Sequence, residues 1–239
     1  MIGIKPVTMC ITTSGFFLVL LLAAAPPWSA DLQKARDTQN RIELERIASQ
    51  LSVLATKQTN DAEAQYQAAL ANSVLAEIAA EVRDKNQAQA AAEAGMKAAE
   101  RAISLKPANA EYHRILGTLS GQEAAAVGGL AALRYGRSSL EEINKALELD
   151  PKASMNYLSH GIGNYYLPAA LGGGVEPAIK DFEKAIALDA RSADAHLWLG
   201  LALRKASRDA EARKEFQRSL ELNPARLWAR EQLAKTPAQ

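Results

Sequence analysis

The chain has 239 residues, 28 basic and 27 acidic side chains, and 48% apolar residues of which few are aromatic. That length accommodates one domain or two small ones around a sizeable core, and the balanced charge excludes a basic surface asking for nucleic acid. The single cysteine, Cys10, excludes disulfides within the chain, thiolate metal clusters and a cysteine nucleophile anywhere after it.

Residues 1–30 read as an export signal. Lys5 is the only charged residue before Asp31, and Phe16 to Ala25 supply an apolar stretch too short to span a bilayer comfortably. Pro26 and Pro27 break it, and the small pair Ser29–Ala30 places the cut after Ala30. Trp28 fits poorly three residues before that cut, which keeps an uncleaved anchor as the alternative. Export without disulfides points to a Gram-negative periplasm or a face of the cell envelope.

Residues 31–105 form an N-terminal helical region, read either as degenerate repeats or as a separate cap. Leu44, Ile47, Leu51 and Leu54 recur at helical spacing, so Asp31 to Lys57 is predicted as one long helix. Thr59–Asn60–Asp61 is a turn with an N-cap. A second helix follows to about Arg83, with Tyr66, Leu70, Val74, Ile78 and Val82 on one face. An alanine-rich third helix runs from Ala88 to Leu105.

Residues 106–239 carry a repeat. Four helix stops read SLKP, ELDP, ALDA and ELNP, ending at Pro107, Pro151, Ala190 and Pro224, with gaps of 44, 39 and 34 residues. Five residues before each stop sit Ala102, Ala146, Ala185 and Ser219; ten after each of the first three sit Gly117, Gly161 and Gly200. These marks hold register across both excesses, so the excess is insertion. The first insertion lies within Gly121–Ser138, lengthening a helix and bending at Gly128–Gly129, with Ser138 and Ser139 as N-caps of the next helix. The second lies within Tyr165–Pro177, where Pro168 ends a helix, Gly172–Gly174 form a turn and Pro177 opens the next helix. Leu227 to Lys235 is predicted as a short helix capping the end of the stack.

The last repeat, Ala193 to Pro224, has two amphipathic helices around the turn Ser207–Arg208–Asp209, with Gly200 and Ala212 small enough for close approach and Phe216 beside them. This stretch resembles the tetratricopeptide family over its whole length, with His196 and Ser219 in place of the usual tryptophan and alanine. The resemblance implies an all-α, right-handed helix-turn-helix solenoid with two insertions and a C-terminal capping helix. The segment from Tyr165 to Asp189 resembles the periplasmic subunit associated with TRAP-type solute transporters, and more remotely the regulator of microtubule dynamics family. That resemblance implies a helical scaffold binding a partner protein, with room for a ligand cavity.

No catalytic constellation stands out, and the chain reads as a non-enzyme without cofactor or metal. His113 and His196 hold equivalent repeat positions and His160 lies three residues after the matching Tyr157, a regularity that favours packing over ligation. Gly172–Gly174 lacks the Lys and Ser/Thr of a phosphate loop, and Glu141–Glu142 suit an exposed helix start. The concave groove, lined by the leading helix of each unit, is the expected binding surface. It should show Arg114 and Thr118, then Met155, Leu158, Ile162, Tyr165 and Tyr166, then Leu197, Leu201, Arg204 and Lys205. Of these, Arg114, Tyr165, Tyr166, Arg204 and Lys205 have the chemistry of binding hot spots. The expected function is an exported scaffold holding a protein or peptide partner in the envelope; the alternative is a small-ligand-binding periplasmic component of a TRAP-type transporter. Nucleic acid is not an expected partner, and membrane contact is expected only through an uncleaved leader.

Overall fold

The computed structural model describes residues 27–237; of the predicted leader, residues 1–26 lie outside it. The described chain holds eleven α-helices and no strand. Five helix hairpins follow one another: α1 (Pro27–Asp37) with α2 (Arg41–Lys57), α3 (Ala62–Glu81) with α4 (Lys85–Leu105), α5 (Ala110–Val127) with α6 (Gly129–Leu149), α7 (Ser154–Tyr166) with α8 (Val175–Leu188), and α9 (Ala193–Lys205) with α10 (Asp209–Leu222). A short α11 (Leu227–Lys235) closes the stack where the spacing predicts a capping helix.

The predicted helix from Asp31 to Lys57 is two helices. Gln39 takes a left-handed φ of 52° and the Asn40 amide reaches back to the Ala35 carbonyl, so the chain reverses between α1 and α2. Arg83 (φ 64°) and Ser207 (φ 60°) do the same, with Asp84 N–H to Ala79 O and Arg208 N–H to Leu203 O. These are Schellman turns, in which one left-handed residue satisfies the last carbonyls of a helix. Gly128 (φ 70°) and Gly172 (φ 90°) turn the two hairpins that carry insertions. Three hairpins thus reverse at one left-handed residue and the two inserted ones at two positive-φ glycines each, and the N-terminal region, like the rest, is made of helix hairpins.

Side-chain bonds repeat as well. The Asn156 amide donates to the Ala146 carbonyl ten residues back, and the Gln65 amide donates to Ala55 O in the same way. Six residues after a stop, His113 Nε2, Tyr157 Oη and an Arg230 guanidinium nitrogen lie 2.8, 3.3 and 2.8 Å from the carbonyls of Pro107, Pro151 and Pro224. The bend at Gly128–Gly129 and the break at Pro168 fall where predicted. Ser138 and Ser139 do not: α6 already runs from Gly129, so both lie inside a helix rather than capping one.

Leading and trailing helices differ in burial. In α9 every residue from Ala195 to Leu203 is buried, whereas α10 buries only Ala212, Phe216 and Ser219. The cause is contact of each leading helix with its own trailing helix, the preceding trailing helix and the neighbouring leading helices. The leading helices therefore form an inner layer, while the trailing helices show one face to water.

Candidate functional site

The inner layer is drawn together more tightly than a string of hairpins requires. Arg36, at the end of α1, donates a forked pair of bonds to Glu77 of α3 at 2.7 and 2.9 Å and a second pair to Asp194 of α9 at 2.9 and 3.1 Å. Arg226, before α11 and 1% exposed, pairs with Glu81 and with Glu77 (3.0 Å). First and last repeats are thus joined by two arginines and three carboxylates. Burial and the neighbouring Glu77 push Glu81 up to about 7, although Arg226 and Gln39 oppose this. Burial alone would also raise Asp194, but Arg36 holds it below the usual carboxylate range. Sequence reasoning named none of these five residues, because their partners lie up to 158 positions away.

The predicted groove residues fare unequally. Leu158, Leu197 and Leu201 are buried in the core, because neighbouring leading helices close over them. Arg114 is 6% exposed; its guanidinium forks onto Glu111 and reaches the Ser159 hydroxyl, and Glu111 in turn accepts from the Tyr66 hydroxyl. Arg204 donates to the Gln232 side chain (2.6 Å), the Gln232 carbonyl and the Thr236 hydroxyl, which ties down α11. Both arginines hold the solenoid together rather than facing a groove. Lys205 is exposed, donates to the Tyr165 carbonyl at 2.8 Å, and lies 4.2 Å from the centre of the Tyr165 ring.

Tyr165 and Tyr166 anchor an aromatic cluster. Their ring centroids are 5.1 Å apart, both meet Trp198 edge-on, and Trp198 meets Trp228 of α11 at 5.4 Å. Tyr166 is 63% exposed and close enough to Glu81 to feel its charge, which places it beside the seam between the end repeats. Tyr166 and Lys205 are the exposed members of this cluster.

Each histidine joins a leading helix to its trailing partner: His113 to Glu142 at 2.6 Å, His160 to Asp181 at 2.9 Å, and His196 to Glu215 at 2.6 Å. The three carboxylates all lie nine residues before a stop. His160 differs in register, standing where the adjacent units bury Leu116 and Leu199. It lines an open cavity of about 430 Å³ together with Asn164, Lys180, Asp181 and the inserted Leu167 and Leu171. The Asn164 amide donates to Asp181 at 2.7 Å across the cavity floor.

Repeated hairpins in which Gly161 and Gly200 of leading helices meet the rings of Phe182 and Phe216, and Gly117 meets Ile143, define a tetratricopeptide-type solenoid. The tetratricopeptide repeat model matches residues 193–226, the unit singled out from the sequence. The model for regulator of microtubule dynamics protein 1-3 matches residues 30–167, more than half of the chain, and the chain belongs to that family. Neither model is that of a transporter subunit, and the family match ends before most of the segment that suggested one. No curated protein matches the chain. Among solved structures, a thermophilic tetratricopeptide protein of Thermus thermophilus is similar with a TM-score of 0.60, at 17% identity over 84% of this chain and 97% of that one. The HusA haemophore from Porphyromonas gingivalis is similar with a TM-score of 0.59, at 19% identity over 76% of this chain and 94% of that one. At such identities the likeness establishes the fold alone.

Proposed function

We propose that the protein is an exported, non-catalytic scaffold that holds a protein or extended peptide partner in the cell envelope. The observation carrying this reading is the aromatic rim, where exposed Tyr166 and half-buried Tyr165 stand beside the exposed Lys205 ammonium on the inner layer. Aromatic area next to a cation is the composition of binding hot spots. The leader-like first 30 residues support the location. A photo-crosslinking residue at Tyr166, in the full chain expressed in its native host, is expected to trap one dominant protein. Lys205→Glu should lower that recovery about tenfold, the loss of one hot-spot residue. Diffuse crosslinking that Lys205→Glu leaves unchanged would overturn the assignment.

A second reading, a small-ligand-binding component of a TRAP-type transporter, draws support from the cavity beneath the Tyr165–Pro177 insertion. Its floor puts polar His160 where the adjacent units bury Leu116 and Leu199, with Asn164 one helical turn further on. Native mass spectrometry of the purified chain distinguishes the two readings. A retained small molecule lost with Asn164→Leu favours the cavity, and an empty protein favours the rim.

A further inference from the structure

Ten consecutive residues, Ala124 to Leu133, read AAAVGGLAAL and include no charged or hydrogen-bonding side chain. They form the tip of the α5/α6 hairpin. The ten-residue insertion makes α5 18 and α6 21 residues long, against 13 and 14 in the following α7/α8 unit, so the tip overhangs that unit, while the preceding α3 and α4 are 20 and 21 residues long. Leu130 is 85% exposed and Leu133 55%. A side chain placed at Gly128, Gly129 or Gly136 would meet nothing within 4 Å. Two exposed leucines one helical turn apart on an overhanging tip are no longer singly scattered surface apolar residues.

Charge follows the apolar run in order. Arg134 and Arg137 stand immediately behind it, both exposed, and no acid occurs from Ala124 to Leu140. No described carboxylate pairs with either arginine. The Arg134 guanidinium lies 4.8 Å over the ring of Tyr135. At a rise of 1.5 Å per residue, Leu133 lies roughly 6 Å and Arg137 roughly 12 Å along α6 from Gly129. Interfacial elements enter a membrane by about 5–10 Å, with basic and aromatic residues at the headgroup level.

We propose that the α5/α6 hairpin tip docks on an anionic lipid bilayer, with Val127, Leu130 and Leu133 entering the acyl boundary and Arg134 and Arg137 among the phosphates. This contact is separate from any made by the leader and does not cross the membrane; no described helix is long and apolar enough to do so. It also orients the scaffold, because the apolar tip with its two arginines belongs to this one hairpin, whereas the α3/α4 turn reads EVRDKNQ.

The test uses the full chain with Cys10→Ser and Ala131→Cys, labelled at residue 131 with an environment-sensitive fluorophore. Phosphatidylcholine vesicles containing phosphatidylglycerol should shift its emission to the blue, and added salt should weaken the response. Leu130→Glu with Leu133→Glu should lower the partition at least about tenfold, since burying one leucine alone is worth that factor. Both positions are exposed, so circular dichroism should be unchanged. Arg134→Glu with Arg137→Glu should abolish the preference for anionic vesicles. A leader that binds vesicles sediments the protein without moving a probe at residue 131. An unmoved probe, with or without sedimentation, therefore overturns the proposal, as does an equal response to vesicles lacking phosphatidylglycerol.

Discussion

At Gly200 a Cβ would stand 2.7 Å from the Phe216 ring, and at Gly161 it would stand 2.6 Å from Phe182. Gly136 lies inside α6 with nothing within 4 Å of the same position. Gly200→Ala is therefore expected to destabilise by about 1–3 kcal/mol through overpacking. Gly136→Ala should stabilise by about 0.5–1 kcal/mol, because only the helix propensity changes. The urea midpoint should move in opposite directions for the two variants. The repeat glycines were legible, since their register relative to the stops is visible in the chain. The helix end at about Arg83 was read from the polar residues that follow it, whereas Gln39 was not legible as a turn, because a left-handed non-glycine residue leaves no compositional mark. That is why α1 and α2 read as one helix.

Helix positions and faces were largely legible, including α11 and the two insertions. What each face meets was not. Arg204 and Lys205 end α9 as adjacent cations, yet one clamps the terminal helix and the other remains at the surface. A helix pattern shows which side is polar but not which later segment crosses it. Arg204→Met is expected to free α11. Bonds to a charged donor contribute about 1.5–3 kcal/mol, so amide exchange over residues 227–236 should accelerate at least about tenfold. Amides in α5 should be unaffected; equal acceleration there would mean that Arg204 supports the whole stack.

For the whole molecule, the ion cluster between first and last repeats makes closure depend on pH. The folded state holds the Glu81 proton up to about 7, while the unfolded chain releases it at the ordinary carboxylate value. Between those values the folded state binds more protons, so stability falls as pH rises through the window. Asp194 acts oppositely: its contribution is present above the ordinary carboxylate value and is lost as pH falls through its lowered one. A Tm series should therefore peak below neutrality and above the titration of Asp194. Glu81→Gln should flatten the decline toward alkaline pH, and an unchanged slope would assign that decline elsewhere. The groups facing Glu81 are Arg226, Glu77, Gln39 and Tyr166.

The amino-acid sequence by itself determined the all-helical repeat, its register, its insertions and its capping helix. Those features follow from local periodicity, small residues and prolines, each acting within a turn or two of helix. Only the tertiary structure decided which side chains are free. The superhelical path brings Arg36 to Asp194 and Arg226 to Glu81, and it packs leading helices face to face over Leu197 and Leu201. The two ion pairs join positions more than a hundred residues apart, so their partners carry no common spacing in the chain. The same path leaves the aromatic rim and the α5/α6 tip uncovered, because one borders the seam and the other extends past the following α7/α8 unit.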